Sequence, residues 1–116
     1  MPLATDRQTG HLRQIAAKAA YVETTRKNLA RSRAQLDRTR AAIRTAAARG
    51  SVDSSDQLDR AQQVAEMEFA LTESRLARLR KSGEEDWFTL REGLDDSWEN
   101  LSRSLRNLVK RISDGD

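Results

Sequence analysis

The chain lacks cysteine and has a single histidine. It can therefore form no disulfide bond and no thiolate site, and it has few of the usual metal ligands. One histidine, His11, cannot build a histidine metal site, and the carboxylates between residues 84 and 96 match no calcium-loop spacing. The sequence therefore predicts no catalytic, metal or cofactor site. We interpret His11 as a surface residue near the open end of a helical hairpin.

Residues that interrupt helices are also scarce. The only proline is Pro2, five of the 116 residues are glycine, and aromatics make up 4% of the chain against 34% charged residues. This composition is typical of long helices or coiled coil and predicts an all-α protein of one domain. No apolar stretch reaches the roughly 20 residues of a membrane span, and no signal-peptide core is evident, so we expect a cytoplasmic protein.

A seven-residue repeat predicts the first helix, over about residues 6–49. Its seam consists of Ile15, Val22, Leu29, Leu36 and Ile43. Such spacing is typical of a coiled-coil core position. The companion position that we assign carries Leu12 and Ala19, followed by Arg26, Arg33 and Arg40. Residues 50–54 read as a turn in which Gly50 supplies the left-handed backbone that ends a helix.

The second helical pattern covers about residues 55–112 and has a wider apolar face. Its seven-residue seam consists of Leu58, Ala65, Thr72 and Leu79. The face is widened by Val64, Phe69, Leu71 and Leu76. Because one seam needs only one neighbour, this width predicts contact with more than one helix.

Charges on the two helices specify how they align. An antiparallel hairpin that turns near Gly50 brings together Arg40 with Asp59, Arg33 with Glu66, and Arg26 with Glu73. The apolar seams give the same alignment. Since an exposed ion pair contributes only about 0–1 kcal/mol, these pairs select the register more than they stabilise it.

Ser82 and Gly83 leave two arrangements open. We favour a continuous second helix, in which the same register places Trp87 opposite Ile15 and Leu90 opposite Leu12. A single glycine inside a helix costs only about 1 kcal/mol. The alternative is a three-helix bundle, because Ser82 followed by Glu85 forms a capping-box pattern that would start a third helix.

An eleven-residue repeat marks the last part of the chain. Its apolar stripe consists of Trp87, Leu90, Leu94, Trp98, Leu101, Leu105, Val109 and Ile112. Eleven residues make three helical turns, so the stripe stays on one side of a helix. Large aromatic anchors often dominate interfaces, and we predict that this stripe is an oligomer or partner interface.

Residues 82–112, SGEEDWFTLREGLDDSWENLSRSLRNLVKRI, resemble the carboxy-terminal signature of a family of small bacterial coiled-coil proteins. The matching residues are Gly83, Trp87, Leu90, Gly93, Trp98 and Leu101, while Arg91 stands where lysine is usual and Ser97 where alanine is usual. Members are commonly labelled stress-response proteins. The resemblance implies a non-enzymatic helical protein and adds no site.

Three functions follow from these patterns, in order of preference. The first is a non-catalytic, self-associating coiled-coil scaffold or interaction protein, with a second copy or another protein as partner. The second is peripheral binding to a membrane surface through the carboxy-terminal stripe and its basic end. The third, which we rank well below the others, is nucleic-acid binding through Arg26, Arg31, Arg33, Arg38, Arg40, Arg44 and Arg49.

Overall fold

Three α-helices form the fold, and the all-α class is confirmed. They are α1 (Pro2–Ala48), α2 (Val52–Lys81) and α3 (Trp87–Asp114). The computed structural model describes the backbone of residues 2–50, 52–83 and 85–114, and the side chains of residues 13–50, 56–83 and 85–113. The side chains of His11 and Leu12, on which two of our predictions fall, lie outside this part.

The helices α1 and α2 form the antiparallel hairpin that the seven-residue repeats predict. Gly50 has a φ of 88°, the left-handed conformation expected for the residue that ends α1. Hydrogen bonds across the hairpin join Thr39 to Gln62 and Arg33 to Glu66. These contacts give the alignment predicted from the apolar and charged repeats.

The chain does not continue as one helix after Lys81. After Lys81 the chain reverses, and α3 runs back along α2, antiparallel to α2 and parallel to α1. Arg75 of α2 fixes this alignment by donating to the Gly93 carbonyl oxygen at 2.6 Å and to Ser97 Oγ at 2.5 Å. The fold is therefore the three-helix alternative, and the continuous second helix that we favoured is wrong.

Charge and the burial of apolar side chains account for the break. The last turn of α2 carries Arg78, Arg80 and Lys81, and cations are favourable at the negative end of a helix dipole. Three acidic residues follow at positions 84–86; they would be unfavourable at that end but suit the start of α3. Folding back also buries the apolar stripe of α3, which outweighs the small loss of helix at Gly83.

The capping at this turn differs from the predicted capping box. The Ser82 hydroxyl donates to the Leu79 carbonyl oxygen at 2.6 Å, so it belongs to the end of α2. Lys18 Nζ donates to the Ser82 carbonyl oxygen at 2.6 Å and ties the turn to α1. The first backbone bond of α3 runs from the Leu90 amide to the Asp86 carbonyl oxygen, at 3.0 Å.

One core runs between the three helices. The largest fully buried side chains are Leu36, Thr72, Leu79, Leu94, Leu101 and Leu108. Burying each leucine contributes about 1.5–3 kcal/mol. On α1, residues 13–17 are all exposed, so the described packing of α1 against the other helices begins near Lys18.

Candidate functional site

The tryptophan stripe of α3 is covered by the chain itself. Trp87, Leu94, Leu101 and Leu105 are buried in the core. Leu90, Trp98 and Ile112 are partly buried and pack against it, and Val109 is half-buried. These eight residues therefore form the inner face of α3, and they offer little surface to a second subunit or to a membrane.

Trp87 sits in an aromatic corner between α1 and α3. Its ring meets Tyr21 edge-on with centroids 5.9 Å apart, and the Arg91 guanidinium lies 5.4 Å from the Trp87 centroid and 5.2 Å from that of Tyr21. The prediction that Ile15 covers Trp87 is wrong: Trp87 is 3% exposed and Ile15 is 47% exposed. Because the chain turns before Trp87, α3 enters the bundle at the level of Tyr21.

Tyr21 joins the corner to the rest of α3. Its hydroxyl donates to Asp95 Oδ1. Burial, followed by the hydrogen bond to the Asp95 carboxylate, raises the pKa of Tyr21 well above its usual value. The phenol therefore stays protonated and acts as a hydrogen-bond donor that locks α1 against α3.

Of the three predicted charge pairs, one is formed as predicted. Arg33 binds Glu66 through two bonds of 2.8 and 2.9 Å, and Arg40 also binds Glu66 instead of Asp59. Arg26 binds Glu23 of its own helix at 2.7 Å. Asp59 and Glu73 make no ion pair among the residues that the structure describes.

Glu66 is the centre of this charge network. Gln62 Nε2 donates to Glu66 Oε1 at 3.0 Å, in addition to the two arginines. The hydrogen bonds from Arg33 lower the pKa of Glu66 to about 2, against an ordinary value of 4.5. The bonds to Glu66 in turn raise the pKa of Arg33. This pair joins α1 to α2 in the predicted register.

A row of buried polar side chains on α1 was not predicted. Thr25, Ser32 and Thr39 recur every seven residues and are buried, so they occupy the companion position that we gave to the arginines. Thr39 Oγ1 donates to Gln62 Oε1 at 2.6 Å, and Gln62 Nε2 donates to the Leu36 carbonyl oxygen at 3.0 Å. The spacing of the small hydroxyl residues was the available signal. The arginines instead flank the seam.

One surface departs from the polar pattern of the rest of the bundle. We define the α2 outer face as the side of α2 that carries the exposed apolar residues Val64, Met67 and Leu71. Their exposed fractions are 49%, 72% and 47%. The spacing of three and four residues places these side chains on one side of the helix. The face is therefore a contiguous apolar strip in contact with water.

The outward sides of the other two helices are polar by comparison. On α1 this side carries the exposed Lys27, Arg31 and Arg38. On α3 it carries the exposed Asp96, Glu99, Arg103, Arg106 and Lys110. Isolated exposed apolar residues such as Ile15 and Phe88 are ordinary, whereas three neighbouring ones on one side of α2 make a candidate interaction surface.

The described residues show no arrangement suited to metal binding. No group of three or more acidic or histidine side chains in this part of the chain could hold a metal ion. No helix, within the same residues, is long and apolar enough to cross a membrane. Among the predicted and observed features, the α2 outer face is the best candidate functional site.

Comparisons with protein-family models, with curated proteins and with solved structures give no match. The resemblance of residues 82–112 to a bacterial coiled-coil family thus rests on the motif alone and stays an expectation.

Proposed function

We propose that this chain is a non-catalytic helical protein that works by self-association, with the α2 outer face as its contact surface. The observation that carries the proposal is the exposed strip of Val64, Met67 and Leu71. The other described outward sides are mainly polar and carry the exposed apolar residues Ile15 and Phe88. Packing this strip against an equivalent surface removes it from water and is favourable at about 25 cal/mol per Å².

The proposed function is the one that the sequence predicts, but the contact surface is a different one. The sequence pointed to the tryptophan stripe, whereas the bundle buries that stripe and leaves α2 with unburied apolar side chains. The membrane alternative loses its support for the same reason, because it relied on the same stripe. A stress-related role in the cytoplasm stays a prediction that this surface does not address.

Replacing Met67 with glutamate is expected to abolish assembly while the fold is kept. Glutamate is a good helix former, and position 67 is 72% exposed, so only a contact between molecules should suffer from the charge. We expect a wild-type mass above the 13.1 kDa of one chain by light scattering, and a variant mass close to 13.1 kDa.

The matched control is Ala34→Glu, which adds the same charge to an exposed position on the outward side of α1. It should assemble as the wild type does, and circular dichroism should show equal helix content in all three proteins. A wild-type mass of one chain at high concentration, or assembly that survives Met67→Glu, would contradict the proposal.

Nucleic-acid binding is a second candidate, favoured by the outward side of α1. Lys27, Arg31 and Arg38 are exposed there, and none forms an ion pair in the part of the chain that is described. If this side binds phosphates, Arg31→Glu with Arg38→Glu should abolish a gel shift of duplex DNA that weakens steeply with salt. The control is Arg103→Glu on α3, and absence of any shift at low salt would eliminate this function.

A further inference from the structure

Building on the proposed self-association, we infer that a second copy of this chain packs antiparallel along the α2 outer face, about a twofold axis beside Met67. Opposite charges at the two ends of the strip favour a second copy of the same chain as the partner. Asp56 and Arg78 are equally far from Met67, eleven residues on either side, which is close to three helical turns. Both side chains are exposed and lie on the same side of α2 as the strip.

A twofold axis beside Met67 exchanges the two ends of the strip. Asp56 of each copy then faces Arg78 of the other, so the interface gains two opposite-charge contacts. Arg60, seven residues before Met67, is level with Ser74 of the second copy, seven residues after it, so these positions of the strip add no pair of like charges at one level. An isologous contact of this kind closes on itself and produces a dimer.

A parallel arrangement is disfavoured by the same residues. Parallel copies at the same level would place Asp56 against Asp56 and Arg78 against Arg78. Like charges across an interface are repulsive and exclude a competing geometry. The apolar strip supplies attraction in either orientation, whereas the charges at its ends select the antiparallel one.

The centre of the interface suits a helix-to-helix contact. Met67 meets Met67 of the second copy, and flexible thioether side chains pack well against each other. Val64 of one copy lies level with Ala70 of the other, and Ala70 is small and exposed. The two α2 helices can therefore approach to about 8–10 Å between their axes. One helix face is smaller than the roughly 800 Å² per partner of a standard interface, so the dimer should dissociate on dilution.

Single cysteines test this geometry, because the natural chain has none. In the antiparallel dimer, Met67→Cys places two thiols beside the axis, where the chains can be joined by a disulfide. We expect a linked dimer on a non-reducing gel after equilibration in a glutathione redox buffer. Asp56→Cys should not link, because its counterpart lies at the far end of the strip, and Ala34→Cys on α1 should not link either.

A charge exchange tests the register independently. Asp56→Arg should weaken the dimer about tenfold in sedimentation equilibrium, since two attractive contacts become repulsive. Combining Asp56→Arg with Arg78→Asp should restore the wild-type dissociation constant. Arg103→Asp on α3, combined with Asp56→Arg, is the control and should restore nothing.

The possible failures are distinguishable. If the wild type is a dimer that Met67→Glu dissociates, but Met67→Cys does not link or Asp56→Cys does, self-association stands and the antiparallel geometry is overturned. If the charge exchange fails to restore binding, the register is overturned. If the wild type has the mass of one chain at all concentrations, the proposed function and this inference fail together.

Discussion

Replacing Trp87 with alanine is expected to lower the free energy of unfolding by about 3–5 kcal/mol, as for other large aromatic side chains removed from a core. Trp87 is 3% exposed and packs against Tyr21 and Arg91 at the start of α3. Its loss leaves a cavity where α3 joins the bundle. Because natural domains are stable by only about 5–15 kcal/mol, urea unfolding should show a large shift of the midpoint.

The neighbouring aromatic residue provides the control. Phe88 is 59% exposed and touches only the edge of this corner, with its ring centroid 5.4 Å from that of Trp87. Phe88→Ala should therefore change the unfolding free energy by less than about 1 kcal/mol. Equal losses for the two variants would contradict the burial of Trp87. If Trp87→Ala kept the fold but lowered the mass of the assembly, the tryptophan stripe would be the contact between molecules.

A conservative change separates volume from hydrogen bonding at this position. The indole Nε1 of Trp87 is buried and has no acceptor among the described residues. Because an unpaired buried donor is unfavourable, Trp87→Phe removes that penalty while it keeps much of the ring volume. We expect Trp87→Phe to lose clearly less stability than Trp87→Ala.

The hairpin of α1 and α2 could be predicted because its signals are local and repeat many times. Seven-residue spacing identifies a seam without knowledge of its partner, and Gly50 marks the turn. The prediction for the companion position is wrong, because the arginines one residue further along repeat with the same seven-residue spacing as the small hydroxyl residues. Thr25, Ser32 and Thr39 bury little apolar area, yet they are buried, and Thr39 bonds Gln62 of α2.

The turn at residues 82–86 was harder to predict, because a single glycine does not decide between a kink and a break. The decisive signal was charge: basic residues up to Lys81, followed after two intervening residues by the acidic residues 84–86, suit the end of one helix and the start of another. Once α3 folds back, Trp87 meets Tyr21 instead of Ile15.

The partner of an amphipathic stripe cannot be read from the stripe itself. The apolar spacing of α3 is the same whether α1 and α2 or a second molecule covers it. The apolar face of α2 is wider than the bundle needs. Phe69 and Leu76 are buried in the bundle, whereas Val64, Met67 and Leu71 remain exposed. Only the three-dimensional arrangement shows which part of that face is left for another molecule.

The charge network at Glu66 should make stability depend on pH. The folded protein holds the pKa of Glu66 at about 2, below its ordinary value of 4.5. A lowered pKa gives stability that is present above the ordinary value and lost as pH falls through the folded value. The shift corresponds to about 2–3 kcal/mol, discounted because Arg33 is partly exposed to water.

Glu66→Gln should therefore be less stable than the wild type by about 2–3 kcal/mol at pH 7, and the difference should shrink as pH falls from 4.5 towards 2. Urea unfolding at several pH values measures this difference. The matched control is Glu73→Gln, an exposed acidic residue seven positions later on α2, which should differ little from the wild type at any of these pH values. A difference for Glu66→Gln that stays constant from pH 7 to 2 would mean that the carboxylate charge does not hold α1 and α2 in register. The loss would then come from the change in packing and hydrogen bonding alone.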